Sequence, residues 1–370
     1  MIDRRKLLGA GGLGMAGLGA IACSPSEEGA KGPAAPAIHR KKTRLTMTTT
    51  WPKDLPGLGA AAQRVADRIG VLSDGQMDVR VYAAGELVPA FEAFDTVASG
   101  NADMYHGAEY YWQSKSKAFN FFTAVPMGMT AAEIMGWIDF GGGQALWEEL
   151  SGEYGVIAFQ GANTGHQMGG WFKSEVNSLD DFRGLKIRIP GLGGDVIRAL
   201  GGAAEALPGN EIYQALQTGR IDATEWVGPW NDYYLGFHRE AKFYYGPGFH
   251  EPGSALAVGI NRRKWDRLTA TEQAIIRTAC NEVNHLSVGE FTYQNGVHLE
   301  KLVNEEGVQL RQFPEDVMAR VQEISADIRA DAGAEGDIER RIYESFETAL
   351  KQMRGWARIS DGPYLRAREL

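Results

Sequence analysis

Residues 185–191 read Leu185-Lys186-Ile187-Arg188-Ile189-Pro190-Gly191, and they give a clear indication of the fold class. Apolar residues alternate with cations over the first five positions, which predicts a β-strand that ends at Pro190-Gly191. A helical pattern follows over Asp195–Leu200. A strand that leads through a short turn into a helix is the unit from which α/β folds are built.

The same alternation of strand and helix precedes this segment. The predicted elements are, in order, strand Arg44–Thr50, helix Leu58–Ile69, strand Met77–Tyr82, helix Phe91–Ser99 and strand Ala102–Tyr105. Beyond residue 262 the pattern changes to long helices, which begin at a capping box, Thr269–Glu272, and continue with breaks to about Arg358. We therefore predict an α/β fold with long C-terminal helices.

Arg188 is a candidate ligand anchor. It lies close to the C-terminal end of its strand, where α/β sheets place ligands, and its phase is opposite to that of Ile187 and Ile189. The planar guanidinium group can hold a carboxylate by two parallel hydrogen bonds. The alternation leaves a second interpretation open, in which Arg188 is an exposed residue like Lys186.

Glu225 is a second candidate. It lies in the strand-like segment Ile221–Trp226, after a helix predicted over Glu211–Leu216. A carboxylate beside a large aromatic residue suits the wall of a cleft, but the pattern alone fits a solvated face equally well.

The N-terminus carries a targeting signal. Arg4-Arg5-Lys6 precede an apolar, glycine-rich run from Leu7 to Ala22, which is too short to span a membrane and predicts an export signal over residues 1–22. The paired arginines followed by leucines predict twin-arginine export. Cys23 follows a small-residue peptidase site, so a free and a lipid-anchored mature form both remain open. Residues 23–43 are predicted to form a flexible linker.

The composition narrows the functional class. Removal of residues 1–22 takes away Asp3, Arg4, Arg5 and Lys6 and changes the formal net charge from −9 to −11. So acidic a chain is a poor candidate for binding nucleic acid, whose phosphates need clustered cations. The remaining length of roughly 330 residues favours two domains. Cys280 lies in a helical pattern and is predicted to be a buried apolar side chain.

Several catalytic and cofactor motifs are excluded. The cluster Gly191-Leu192-Gly193-Gly194 lacks the third glycine of a dinucleotide-binding motif and is predicted to be a turn. Residues 331–336 begin like a calcium loop, but position 12 is Ile342, so a turn between helices is predicted. The sequence contains no nucleophile elbow, phosphate loop or H-E-x-x-H pair.

Five segments together resemble a known family. They are Gly85-Glu86-Leu87, Gly100-Asn101-Ala102-Asp103, residues 179–188 (LDDFRGLKIR), residues 211–219 (EIYQALQTG) and residues 221–226 (IDATEW). They resemble the solute receptors of tripartite ATP-independent periplasmic (TRAP) transporters, and the similarity covers nearly the whole chain after residue 43. Within that family the chain looks most like the branch that binds 2-oxo acids such as pyruvate.

The resemblance implies a set of binding residues. It implies that Arg188 grips the substrate carboxylate and that a cation, sodium or calcium, is held by Gln167, Glu225, the main-chain carbonyl of Trp226, and Glu251. Oxygen ligands of this kind suit a hard ion. Such an ion could bridge one carboxylate oxygen and the 2-oxo or 2-hydroxy oxygen of the ligand, and Gln167 is expected to contact both the ion and the ligand.

Aromatic residues supply candidate walls for the ligand site. Tyr110, Tyr111, Trp112 and Trp226 could line a cleft or pack in the core, and Tyr111 and Trp226 are the preferred substrate contacts.

The resemblance also implies a two-lobed fold with crossing hinge segments. We expect residues 44–165 with 255–310 to form lobe I, residues 166–254 with 311–336 to form lobe II, and residues 337–370 to form a C-terminal helix and tail. The lobes would close on a small organic acid in the periplasm and present it to TRAP membrane subunits, with no turnover chemistry. The resemblance also implies that a homodimer could form through the C-terminal helix Asp337–Arg358.

Two alternatives remain open from the sequence. The first is a receptor of the same family for another organic acid, such as a dicarboxylate, which a second arginine in the cleft would mark, or an aromatic acid. The second is a secreted metal-dependent enzyme that acts on keto acids with Glu251 or His250 as a base.

Overall fold

A computed structural model describes residues 42–370, so the predicted export signal, Cys23 and nearly all of the predicted linker lie outside the described residues. The first sheet has five strands in the order β2-β1-β3-β10-β4. The strands are β1 (Thr43–Thr49), β2 (Met77–Tyr82), β3 (Met104–Gly107), β4 (Val156–Asn163) and β10 (Ala255–Asn261). β1 pairs parallel with β2 and β3, whereas β10 is antiparallel to β3 and β4.

The second sheet has six strands in the order β11-β9-β5-β8-β6-β7. They are β5 (Gly170–Phe172), β6 (Lys186–Arg188), β7 (Ala203–Glu205), β8 (Ala223–Thr224), β9 (Phe243–Gly246) and β11 (Gln309–Gln312). The chain passes from the first sheet to the second between β4 and β5, returns between β9 and β10, and passes to the second sheet again between β10 and β11. Two mixed sheets joined by crossing segments confirm the predicted fold class; the lobe boundaries given above remain a prediction.

Helices cover both sheets. They are α1 (Leu58–Leu72), α2 (Ala93–Ser99), α3 (Ala131–Phe140), α4 (Gly143–Glu153), α5 (Gly191–Ala199), α6 (Gly209–Thr218), α7 (Pro229–Leu235), α8 (Arg262–Trp265), α9 (Ala270–Asn304), α10 (Glu315–Ala332), α11 (Asp337–Ala357) and α12 (Asp361–Arg368). None of these helices combines the length and the apolar character that a membrane crossing requires.

Local sequence signals account for several of these elements. The spacing that predicts α1 places Leu58, Val65 and Ile69 on its buried side. The capping box before α9 is present, because the Thr269 hydroxyl accepts from the Glu272 amide while the Glu272 carboxylate accepts from the Thr269 amide. Cys280 is fully buried in α9, as predicted.

Three predicted elements differ from the structure. The glycine cluster is not a turn but the first turn of α5, which begins at Gly191. Gly191 has φ +60°, and a Cβ there would lie 2.6 Å from Asn120 Oδ1, so glycine lets the helix approach its neighbour. β3 lies two residues later than predicted, and the segment Ile221–Trp226 is strand only over Ala223–Thr224.

Candidate functional site

Arg188 lies at the end of β6 and points into the interior, with 1% of its surface exposed. Its Nε donates to the main-chain oxygen of Leu207 at 3.1 Å, and its Nη1 donates to the main-chain oxygen of Glu225 at 3.1 Å and to the Glu225 carboxylate. Nη2 has a long contact of 3.4 Å with the Tyr111 hydroxyl. The exposed interpretation of Arg188 is therefore wrong, and one end of its fork is only weakly engaged.

The Glu225 carboxylate is held from two sides. Its Oε1 pairs with Arg188, and its Oε2 lies 3.1 Å from Nε2 of His250. Glu225 follows β8, which pairs parallel with β6, so the sheet register brings the acid beside the guanidinium. Because Glu225 is fully buried, the interpretation of Glu225 as a solvated residue is also wrong.

Glu251 and Gln167 come from two of the segments that cross between the sheets, β9–β10 and β4–β5. Nε2 of Gln167 donates to Glu251 Oε2 at 2.8 Å and to Thr164 Oγ1 at 3.0 Å. The Ser254 hydroxyl also donates to Glu251 Oε2. The Gln167 and Glu251 backbones are joined by a hydrogen bond of 3.1 Å from amide to carbonyl. The crossing segments are thus linked at the level of both backbone and side chain.

Trp226 covers the guanidinium. The Arg188 Cζ lies 5.0 Å from the centre of the Trp226 ring, which is a cation–π distance. Gly209, at the start of α6, makes this placement of the indole possible, since a Cβ at that position would lie 2.6 Å from the ring. Trp226 also packs edge to face against Trp51 from the end of β1.

A small cavity lies beside this cluster. Its walls are mainly aromatic and aliphatic, with the polar Gln167 and Thr164 on one side. The lining residues are Trp51, Leu58, Tyr110, Tyr111, Thr164, Gln167, Trp226, Val227 and Leu256. An apolar cavity with a few polar groups at one side is the usual form of a small-ligand site.

A buried histidine orients one wall of the cavity. Trp51 Nε1 donates to His106 Nδ1 at 2.7 Å. Burial lowers the pKa of His106 to about 4, so the ring is neutral at physiological pH and its Nδ1 is free to accept. His106 therefore fixes the indole of Trp51 by a neutral hydrogen bond.

Burial and the charges of neighbouring groups shift the pKa values of the titratable side chains in this cluster. Burial, followed by the negative charge of Glu225, raises the pKa of Glu251 to about 7. Burial by itself would lower the pKa of His250, but the hydrogen bond to Glu225 and the charges of Glu225 and Glu251 raise it above its ordinary value. Burial raises the pKa of Tyr111 to about 12, so its hydroxyl stays neutral.

The oxygen atoms of the cluster fit a hard cation. Ligand atoms of Glu225, His250 and Glu251 all lie within 4.8 Å of one another. Oε1 of Gln167 is buried, and within residues 42–370 it has no hydrogen-bond partner. Two carboxylates and an amide oxygen with a lone pair to spare match the preference of sodium or calcium for oxygen ligands.

The structure brings the predicted site residues together, with one difference among the aromatic residues. Arg188, Gln167, Glu225, Trp226, Glu251 and Tyr111 form one connected cluster. Tyr110 lines the cavity, but Trp112 does not; it packs in the core against Phe94 and Tyr105.

Sequence reasoning missed other residues of the site. Trp51 lies just beyond the strand predicted over Arg44–Thr50, and neither it nor Thr164 nor Ser254 is marked as a site residue by the sequence. A single-residue pattern gives no signal for them, because their partners are distant in sequence. His250 was considered only as a base in the enzyme alternative, although it contacts Glu225 directly.

Comparison with known proteins gives consistent matches over the length of the chain. A family model described as bacterial extracellular solute-binding protein, family 7 (DctP), matches residues 47–335. A monocarboxylate 2-oxoacid-binding periplasmic protein from Nostoc sp. is 37% identical over 363 residues, covering 98% of each chain.

Solved structures agree with this assignment. A TRAP periplasmic solute-binding protein from Pseudoalteromonas atlantica T6c with bound sodium and pyruvate has a TM-score of 0.85 at 38% identity, covering 88% of this chain and 99% of the other. A TRAP transporter solute-binding protein from Bordetella bronchiseptica RB50, a dimer with calcium and picolinate bound in one active site, has a TM-score of 0.86 at 32% identity, covering 88% and 97%. The chain therefore belongs to family 7 of the bacterial extracellular solute-binding proteins, the receptors of TRAP transporters.

Proposed function

We propose that this receptor captures a small 2-oxo or 2-hydroxy monocarboxylate, with Arg188 as the carboxylate anchor and with a sodium or calcium ion beside it. The observation that carries the proposal is the convergence of the Arg188 guanidinium with Glu225, Glu251 and Gln167 at the edge of a small aromatic cavity. Binding and release, without turnover, is what such a site performs.

The guanidinium group is arranged for one more partner. Nε and Nη1 are occupied by protein oxygens, which fix the plane of the group. Nη2, at 3.4 Å from the neutral Tyr111 hydroxyl, is the end of the fork with donor capacity to spare. A ligand carboxylate on this side would contact Arg188 and Tyr111 together, with Trp226 stacked over the guanidinium.

A cation would offset the negative charge that the site brings beside an anionic ligand. Two carboxylates beside an anionic ligand would each repel it by about 4 kcal/mol at 4 Å and an effective dielectric constant near 20. Gln167 Oε1, Glu225, Glu251 and the main-chain carbonyl of Trp226 would hold the ion. A bound cation supplies the positive charge that turns this repulsion into attraction and can polarise the oxygen on carbon 2 of the ligand.

The lining of the cavity favours a monocarboxylate over a dicarboxylate. No lysine or arginine occurs among the described residues that line it, so a second carboxylate would lack a counter-charge there. The apolar walls formed by Leu58, Val227 and Leu256 instead suit a short hydrocarbon end. The pyruvate bound by the Pseudoalteromonas atlantica protein and the 2-oxoacid binding of the Nostoc protein support this choice.

We also propose the finer cellular details predicted from the sequence. The lobes, 44–165 with 255–310 and 166–254 with 311–336, close about the segments that carry Gln167 and Glu251. Residues 1–22 direct twin-arginine export to the periplasm, where Cys23 is the point of a lipid anchor if it is acylated. The closed receptor is read by the TRAP membrane subunits, and α11 is the surface for a homodimer; the Bordetella bronchiseptica protein is itself a dimer.

A titration tests the ligand assignment. Tryptophan fluorescence and calorimetry would be followed as purified protein is titrated with pyruvate, 2-oxobutyrate, lactate and succinate, in sodium-free buffer with chelator and again with sodium or calcium added. We expect saturable binding of the 2-oxo acids that strengthens with the cation, and weak or no binding of succinate. Preference for succinate, or appearance of a reaction product in a stoichiometric mixture, would refute the proposal.

A further inference from the structure

We propose that His250 is a positioning residue that holds the Glu225 carboxylate in the orientation in which it serves the cation. This inference rests on the proposed function, because it concerns how the same site binds its ion. In this role His250 acts through Glu225, which it contacts directly.

The hydrogen bond defines the role of each atom. Nε2 of His250 lies 3.1 Å from Oε2 of Glu225, and an ionised carboxylate only accepts, so the imidazole carries its proton on Nε2. Oε1 of the same carboxylate is taken by Nη1 of Arg188. The two oxygens of Glu225 are therefore held by donors from two different segments, β6 and the β9–β10 crossing segment.

These two hydrogen bonds fix the terminal side-chain torsion of Glu225, which would otherwise vary freely. The terminal torsion of a glutamate side chain is broad, so the carboxylate plane is not fixed by its own rotamer preference. An arginine alone prefers to take both oxygens of a carboxylate in a bidentate pair. By retaining Oε2, His250 prevents Arg188 from capturing the whole carboxylate and keeps Glu225 in the group of ligand atoms that it forms with His250 and Glu251.

The His250 imidazole is packed tightly by its neighbours, and a histidine is a costly residue at this core position. It is 2% exposed, and a Cβ on Gly193 of α5 would lie 2.9 Å from its Cβ, so the helix backbone packs tightly against it. Nδ1 is buried, and in the part of the chain that the structure describes it has no hydrogen-bond partner. A buried polar atom without a partner is costly, and an apolar side chain would fill the space without that cost. The contact with Glu225 is the interaction that justifies a histidine here.

The test compares three variants: His250→Ala, His250→Gln and, as a matched control, His166→Ala. Gln places an amide donor where Nε2 lies, whereas His166 belongs to the same region but is exposed, and within residues 42–370 it makes no hydrogen bond to Glu225. Cation affinity would be measured with calcium by calorimetry and with terbium by luminescence, and pyruvate affinity would be measured at saturating calcium. Thermal melts would confirm that each variant is folded.

The expected result is a selective loss. His250→Ala weakens cation binding by about ten- to a hundredfold, the range for groups that orient metal ligands, while His250→Gln recovers most of it. His166→Ala leaves cation binding unchanged, and pyruvate binding at saturating calcium changes little in all three. Wild-type cation affinity in folded His250→Ala, or a His250→Gln variant as weak as His250→Ala, would overturn the inference. Failure of the wild-type protein to bind cation and pyruvate would instead overturn the proposed function.

Discussion

Replacement of Arg188 by lysine separates the geometry of the guanidinium from its charge. The arginine reaches the main-chain oxygens of Leu207 and Glu225 through Nε and Nη1 and presents Nη2 toward Tyr111. A lysine ammonium group has its three donors on one atom and cannot reach all of these acceptors and a ligand at once. The variant keeps the positive charge opposite Glu225, so the buried carboxylate is not left without a partner.

The expected magnitude follows from the contacts that are lost. Loss of one charge-assisted hydrogen bond to the ligand costs about 1.5–3 kcal/mol, which corresponds to about ten- to a hundredfold weaker binding. The carbonyl of Leu207 also loses its donor, which lowers the free energy of unfolding by about 1–3 kcal/mol. Arg188→Ala is a poorer test, because the isolated buried Glu225 carboxylate would cost about 3–5 kcal/mol of stability and could unfold the site.

Pyruvate affinity would be measured by calorimetry at saturating cation, beside a thermal melt of each protein. Arg198→Lys is the matched control, since Arg198 lies in α5, pairs with Asp195 and has about half of its side chain exposed. We expect the control to bind pyruvate like the wild type and to melt at nearly the same temperature. A folded Arg188→Lys protein with an affinity within twofold of wild type would refute the assignment of Arg188 as the anchor.

Three further perturbations give distinct outcomes. Chelation in sodium-free buffer should weaken pyruvate binding at least about tenfold in a calorimetric titration, because uncompensated carboxylates repel the anion; unchanged affinity would contradict the cation model. Tyr111→Phe should weaken pyruvate binding by about three- to tenfold, the value of one neutral hydrogen bond, with the melting temperature nearly unchanged. Burial raises the pKa of Glu109 from 4.5 to about 8, so folding retains a proton and wild-type stability falls as pH rises through this interval. Relative to wild type, Glu109→Gln should therefore gain about 2–3 kcal/mol in urea unfolding between pH 5 and pH 7, and parallel pH profiles would exclude this effect.

Glu109 is a suitable residue for that pH comparison because its surroundings are well defined. It is fully buried, and its Oε1 accepts from the Tyr105 hydroxyl at 2.7 Å. Glutamine retains a carbonyl acceptor for that bond but cannot ionise. The two proteins therefore differ mainly in whether a charge must be created in the core above the ordinary pKa.

Features that depend on neighbouring residues could be predicted from the sequence, whereas features that depend on residues distant in the chain could not. Strand and helix periodicity act over a few residues, and they located β2, α1 and the capping box of α9. The start of α5 was misplaced because glycine signals a turn locally, whereas here Gly191 is required by close contact with Asn120, 71 positions earlier. Propensity alone cannot anticipate such a tertiary requirement.

The site residues illustrate the same limit. Strand phase pointed to Arg188 but could not decide whether it faced the interior. Gln167 and Glu251 came only from family resemblance, since neither carries a local signal, and they are joined by a side-chain contact across 84 positions. The hydrogen bond between Trp51 and His106 could not be predicted for the same reason, although it fixes a wall of the cavity. Burial and pairing decide these roles, and both are properties of the folded chain.

The polar groups of the site are better explained by ligand binding than by stability. A buried ion pair such as Arg188–Glu225 is often no more stabilising than apolar residues of the same volume, because both charges lose hydration. Around it, Gln167 Oε1, Trp226 Nε1 and His250 Nδ1 are all buried atoms for which residues 42–370 provide no hydrogen-bond partner. Each such atom costs about 1–3 kcal/mol, and a core selected only for stability would not gather them in one place. A ligand and a cation that engage some of these atoms recover part of that cost on binding, and they stabilise the folded chain by mass action. Affinity for the acid and resistance to unfolding are therefore coupled through the same few atoms.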